Sequence, residues 1–418
     1  GDYYGFELDG NRRFLLADFT VTHNTFCQAA ILTNEIIKNK GGFRIYVVNA
    51  PRILLSYQLM KEFYSFLVMT GIEARYMFVH SGGKANEREL EEIRHRANSE
   101  GHVIPYSQIG SATQVATIRD NIETARDMNL PIVLFSTYNS AQNIQWAINT
   151  SKELKNCVIS MVLNDEAHYL VQEQFHDILN TVNSNRCYFF TATTVHTKSD
   201  KGRGMNNPDA YGEMLFEMTP AEAIKLAKMV RPRMHFVRTD GVYNSDDYNR
   251  SLNKIIKDTF EQHESVLNSA NQKPKLLISA KGSLDIRRFI TSDEYRELRQ
   301  EGVHIYAIGS HEEIGNDING EKVRRPEFLK RLKQDGTNKA KKLIVLHYDI
   351  LAEGIDVSGF TGIMPLRTLS KSKFLQTFGR AARLDPEDRK RIDAGEITYN
   401  DLDKMIKPYA YVIIPNIV

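Results

Sequence analysis

Short apolar runs recur along this chain and alternate with amphipathic stretches. RIYVVNA (44–50), IVLFSTY (132–138), VISMVLNDE (158–166) and RCYFFTAT (186–193) are rich in β-branched and aromatic residues and read as strands. A second set follows at KLLISA (275–280), HIYAIG (304–309), KLIVLHY (342–348) and YVIIP (411–415). Apolar strands interleaved with helices predict parallel sheets, and the two sets predict two α/β lobes. MVRPRMHFV (229–237), with its Arg-Pro punctuation, reads as the crossover between them. TFCQAAILTNEIIKNK (25–40) has helical character, with apolar positions at Ala29, Ile31, Leu32 and Ile36 and a stop at Gly41-Gly42. Ahead of it, YYGFEL and FLLADFTV flank Asp9-Gly10-Asn11, a hairpin pattern.

Composition changes this picture little. A chain of 418 residues has room for two or three domains. A net charge of +2 excludes a global basic field, so any nucleic-acid groove must come from local clustering. Local groups occur at Lys339-Ala340-Lys341-Lys342, along 321–333 and at 370–373, and each reads first as a solvated face. Cys27, Cys157 and Cys187 have no metal-ligand spacing and make no disulfide framework, which fits a reducing cytoplasm. No apolar run approaches a membrane span and no signal peptide is visible, so no membrane partner is expected. The chain begins with Gly rather than Met, and the expectation is part of a larger product.

VLNDEAHYL (162–170) places two carboxylates at the carboxyl end of an apolar strand, where α/β sheets bind ligands. In nucleotide hydrolysis Asp165 would hold Mg²⁺ through water and Glu166 would polarise the attacking water. His168 stands two residues on, where it can link the nucleotide site to the other lobe. Alone, this box reads equally well as a helix start with a surface acid pair. It is accompanied, however, by FFTATT (189–194), whose Thr191 and Thr193 hydroxyls can relay movement. Pro51 and Arg52 follow the strand 44–50, Thr137 ends another and Lys281 follows 275–280, all candidates for a phosphodiester track. In the second lobe, Gly354 stands beside a carboxylate, Asp356. QTFGRAAR (376–383) puts Gln376, Arg380 and Arg383 on or near one helical face, where arginines can meet a triphosphate. A charged solvent-facing helix is the plainer reading of that arginine pair.

The ordered set resembles the superfamily-two helicases and translocases of the DEAH-like type, from about residue 25 to residue 415. The resemblance implies two RecA-like lobes, 25–235 and 236–418, with ATP in the cleft between them and a nucleic-acid strand across their tops. It implies Asp165 and Glu166 for Mg²⁺ and water, and His168, Thr191 and Thr193 for coupling. Gly354 and Asp356 would lie near the ribose, and Gln376, Arg380 and Arg383 would meet the phosphates. DNA is favoured over RNA as the partner. One departure is LHYD (346–349), where many relatives carry a small hydroxyl residue before the Asp.

A second departure is larger. The slot for a glycine-rich phosphate loop ending G-K-T holds V-T-H-N-T. An Asn side-chain amide can attack its own carbonyl, a neighbouring imidazole can protonate the leaving group, and a following Thr hydroxyl can carry an ester. GFELDGNRRFLLADFTVTHN-T (5–25) resembles the downstream splice junction of an intein. That resemblance covers residues 1–24 and implies that Asn24 cyclises, His23 assists and Thr25 becomes the first host residue. Thr25 would then complete the phosphate loop and coordinate Mg²⁺, with the lysine and glycines supplied by an upstream polypeptide that also carries the rest of the intein. The expected function is the carboxyl-terminal part of an ATP-dependent helicase or translocase, the isolated chain being inactive. The alternatives are a non-hydrolysing nucleic-acid-binding subunit with a degenerate loop, or the motor of a restriction enzyme. A viral or phage source also fits the intein resemblance.

Overall fold

The computed structural model describes residues 24–68, 70–80, 109–197, 202–239, 248–267, 272–309, 314–348 and 359–417. The hairpin expected over the first two dozen residues, with His23, lies outside them, as do Gly354 and Asp356. The chain forms two compact units divided between Leu215 and Phe216.

The first unit opens with helix α1 (Asn24–Lys38), followed by β1 (Ile45–Ala50), α2 (Ile53–Val68), β2 (Arg75–Val79) and β3 (Ile109–Ala112). Next come α3 (Val115–Asp127), β4 (Ile132–Thr137), α4 (Ala141–Thr150), β5 (Met161–Asn164) and β6 (Cys187–Phe189). The six strands lie in the order β3-β2-β4-β1-β5-β6, and every pairing is parallel. Alternate residues of β1 feed different cores. Tyr46, Val48 and Ala50 join the α1–α2 side, while Ile45 and Val47 join the α3–α4 side. Burial on both faces is why β1 and β4 read as continuous apolar runs rather than alternating ones.

The second unit contains β7 (Arg231–Thr239), α5 (Tyr248–Val266), β8 (Lys275–Ser279), α6 (Ser283–Ile290), α7 (Asp293–Gln300) and β9 (Val303–Ile308). It continues through β10 (Asn316–Ile318), β11 (Glu321–Lys322), α8 (Arg325–Thr337), β12 (Lys342–His347) and β13 (Gly362–Pro365). It ends with α9 (Lys371–Ala381), α10 (Pro386–Asp393) and β14 (Tyr409–Ile417). The sheet order is β11-β10-β9-β12-β8-β13-β14-β7.

Two expectations are corrected here. The second sheet is mixed rather than parallel throughout, because β10 and β11 fold back antiparallel beside β9. The segment 229–237 is no crossover. Its main part is β7, a nine-residue strand paired in parallel with β14, so it belongs to the second unit's sheet. Its Pro232 is tolerated because β7 is the terminal strand in the described order.

Helix α5 buries His263 to 1% exposure, stacked on Tyr411 with ring centroids 3.6 Å apart. Neither ring nitrogen has a hydrogen-bond partner among the described residues. Burial, aided by His235 and Arg233, pushes this imidazole down to about 3 from an ordinary 6.5. The unfolded chain therefore takes up a proton below pH 6.5 that the folded chain refuses, and stability falls as pH drops through that window. His263→Phe keeps the stack and removes two unsatisfied nitrogens. It should stabilise the chain by about 1 kcal/mol near neutral pH. The margin should widen by roughly 2 kcal/mol near pH 5. Urea unfolding at the two pH values checks this, and a margin independent of pH contradicts it.

Candidate active site

The site in the first unit grows from three neighbouring parallel strands that end in register. Ala50 pairs with Thr137, and Asn49 with Asn164. Asn49 Nδ2 donates to Asn164 Oδ1 at 2.9 Å, and Asn164 Nδ2 reaches Cys187 Sγ at 3.2 Å. This buried polar ladder fixes β1, β5 and β6 against slippage, because a shift of one residue would break it. Immediately beyond it the Asp165 amide donates to the Asn49 carbonyl at 2.9 Å. The Asp165 carbonyl accepts from the Tyr138 hydroxyl at 2.6 Å. Burial of Tyr138 raises its pKa well above 10, so it remains a donor.

The side chain of Asp165 is also held. Gln28 Nε2 donates to Asp165 Oδ1 at 2.7 Å, and Gln28 is fully buried. Gln28 lies one helical turn after Thr25, on the same face of α1. The first turn of α1 is thereby tied to the end of β5. Gln28 Oε1 is buried without a hydrogen-bond partner, an orphaned acceptor beside a carboxylate. Amide and carboxylate oxygens side by side suit a hard divalent cation such as Mg²⁺. Among the described residues no cluster of three or more His, Cys, Asp or Glu forms a metal site of the protein's own.

Glu166 adopts the left-handed conformation, φ 50° and ψ 46°, and leads into a short 3₁₀ turn (Ala167–Val171). For a residue with a Cβ this costs roughly 1–2 kcal/mol. The Ala167 amide, bonded to the Phe190 carbonyl at 2.9 Å, holds the turn there. His168 Nδ1 lies 3.1 Å from Thr191 Oγ1 and 3.4 Å from Glu166 Oε2. The single Thr191 hydroxyl proton goes to the Thr193 carbonyl at 3.0 Å. His168 must then donate from Nδ1, which fixes the tautomer. Burial pushes His168 down to about 4, so it is neutral at pH 7. The acid pair and FFTATT therefore do meet through His168 and Thr191. Thr193 takes part through its backbone, as its amide also donates to Thr191 Oγ1 at 3.2 Å.

The other expected residues are placed as follows. Asn24 is the first residue of α1 and Thr25 the second. Pro51 and an exposed Arg52 occupy the turn after β1. Thr137 is 7% exposed, and its hydroxyl donates to Ser140 Oγ at 3.2 Å, so it faces inward rather than toward a strand. Lys281 follows β8. Gln376 and Arg380 sit on α9, both nearly buried. Arg383 does not share their helix, a correction to the single-face expectation. Helix α9 ends at Ala381, and Arg383 forms an isolated antiparallel bridge with Met229. Lys407, 2% exposed, donates to the Arg383 carbonyl at 2.6 Å. Several of the basic residues are paired locally. Lys339 pairs with Asp385 and Glu387, Lys341 with Asp335, Lys342 with Glu264, and Arg331 with Glu321 and Glu327.

Sequence reading missed Gln28, Asn49, Tyr138 and Asn164. The available signal was a polar residue at the carboxyl end of an apolar strand, as in VVNA and VLND.

A family model described as "Type III restriction enzyme, res subunit" matches residues 9–196, just under half of the chain. That match begins inside the stretch read as an intein tail. Among solved structures, the chain is similar to the ATP-dependent Type ISP restriction-modification enzyme LlaBIII bound to DNA, with a TM-score of 0.61 and 16% identity. It is also similar to a nuclease-deletion mutant of the Type ISP enzyme LlaGI in complex with a DNA substrate mimic, at 0.57 and 17%. The likeness shows a shared fold, two α/β units with a parallel sheet in the first and a mixed sheet in the second. The two alignments cover 95% and 96% of this chain but only 26% and 25% of those enzymes, so the chain spans about a quarter of their length. No curated protein matches the chain. No helix among the described residues is long and apolar enough to cross a membrane.

Glu166→Gly should raise stability by about 1 kcal/mol, because glycine adopts the left-handed conformation freely. Glu166→Ala should give no such gain. Thermal unfolding of the two variants decides, and equal melting temperatures contradict the strain.

Proposed function

We propose that this chain is the carboxyl-terminal part of an ATP-dependent nucleic-acid motor, acting on DNA. The observation that carries the reading is the Gln28–Asp165 bond, which joins the first turn of α1 to the acid pair at the end of β5. Asp165 and Thr25 would hold Mg²⁺ with its nucleotide, and Gln28 fixes the carboxylate rotamer. The metal supplies charge neutralisation at the reacting phosphate. Glu166 orients water and accepts its proton at the carboxylate. His168, neutral and donating from Nδ1 to Thr191, stands 3.4 Å from Glu166 Oε2. Arg380 and Arg383 are the second unit's candidate cations for phosphate oxygens, and Gln376 contributes a buried amide Nε2 with no partner among the described residues.

The family model and the two Type ISP likenesses favour one form of this reading, the motor of a restriction-modification enzyme. DNA as the track draws support from the same two structures.

Thr25 lacks a phosphate-loop lysine before it, and the intein reading of residues 1–24 supplies the reason. On that reading the chain as it stands gives no DNA-stimulated ATP hydrolysis. Joined at Thr25 to an upstream piece ending in the phosphate-loop lysine, it does. Glu166→Gln in the joined protein should lower kcat by about 10²-fold or more with the fold intact. A phosphate-release assay with and without DNA checks all three. Strong hydrolysis by the chain alone contradicts the missing-lysine reading, and none in the joined protein favours a degenerate, non-hydrolysing subunit.

The splice reading has its own test. Incubated chain should release residues 1–24 as a peptide ending in a succinimide, and Asn24→Ala should abolish release. Mass spectrometry reads the product directly. Scission at another bond, or release that survives the substitution, contradicts the assignment.

A further inference from the structure

The second unit carries a feature that the nucleotide site does not use. Strands β12, β8 and β13 are neighbours, with His347 and Pro365 both in register with Ser279. Past the strand ends the ladder continues: the Ala280 amide donates to the His347 carbonyl at 2.8 Å, and the Leu366 amide to the Ser279 carbonyl at 2.9 Å. Tyr348 follows in the row of Ala280 and Leu366, and Lys281 and Arg367 come one residue later on their own strands. The three thus lie within two residues of the strand ends at the carboxyl edge of the sheet, the edge where α/β sheets take ligands. Beneath them Ser279 Oγ and His347 Nε2 lie 3.1 Å apart, a buried pair that stiffens the rim.

The Arg367 guanidinium carbon lies 4.4 Å from the centre of the Tyr348 ring. Arg367 Nη2 also donates to the Tyr348 carbonyl at 3.4 Å. Tyr348 rests partly on the core below, and both residues are partly buried. Lys281, two residues past the end of β8, is exposed. A guanidinium laid over an aromatic ring offers a flat face as well as a charge. It suits a flat, π-rich ring whose attached backbone is anionic. Nucleobases stack on aromatic rings and on guanidinium planes alike.

We propose that Tyr348 and Arg367 form a stacking platform for one unpaired nucleobase, with Lys281 beside the adjoining phosphate. This rests on the nucleic-acid reading above and deepens it: the second unit grips a base face of a single strand, not only its backbone. In a duplex that face is covered by neighbouring pairs, so the platform selects single-stranded over double-stranded track.

The test uses the full chain and a fluorescent oligothymidine, with binding read by anisotropy. Tyr348→Leu, which keeps apolar packing, should weaken binding roughly five- to a hundredfold. Tyr348→Phe should bind as the parent does, and Arg367→Lys should fall between. An abasic oligonucleotide should bind the parent chain more weakly by the Tyr348→Leu factor, and Tyr348→Leu should add no further loss on it. This last comparison separates stacking from a merely structural role, and the parent-chain arm holds even where a variant fails to fold. Equal binding of abasic and normal strands by the parent overturns the platform alone. So does a Tyr348→Leu loss that persists in full on the abasic strand. No binding of any strand by the parent overturns the nucleic-acid reading and the platform with it.

Discussion

One buried hydrogen bond, from Gln28 to Asp165, organises the first unit's chemistry. A carboxylate at the end of a strand has two free rotations and, in water, would sample them. Here an amide nitrogen removes that freedom, and the residue supplying it lies one turn into the helix that begins at Asn24. Position of the helix and orientation of the acid become a single variable. The Asn49–Asn164 ladder works at the same level from behind, because it sets which residue of β5 is last inside the sheet and hence which is first outside.

The strain at Glu166 belongs to the same design. The strand stops and the chain turns within one residue of Asp165. A regular strand would have continued to alternate its side chains between the two faces. The left-handed residue breaks that run, and the ring of His168 packs close to both Glu166 and Thr191. The histidine's neutrality follows from burial and its proton position from the threonine, so neither depends on nucleotide being present.

Much of this was legible in the sequence for a definite reason. Strands buried on both faces announce themselves as unbroken apolar runs, and those near 44–50, 132–138, 275–280 and 342–348 were found with one edge off by a single residue. Strands β2, β3, β10, β11 and β13 were not singled out, being short or lacking such a run. Strand β7 was misread because Arg-Pro punctuation is also what a terminal strand tolerates. At the site, carboxylates, hydroxyls and arginines stand out by type, whereas Gln28 and Asn49 have meaning only through partners more than a hundred residues away. The helix end at Ala381 was missed because QTFGRAAR keeps helical spacing past the point where the chain leaves the helix for its bridge to Met229.

That bridge sets a limit on Arg383. Its main chain is held on one side by Met229 and on the other by the ammonium of Lys407, itself sealed from solvent. The guanidinium therefore stands on a fixed root, and its reach toward an anion is bounded by the length of its own side chain.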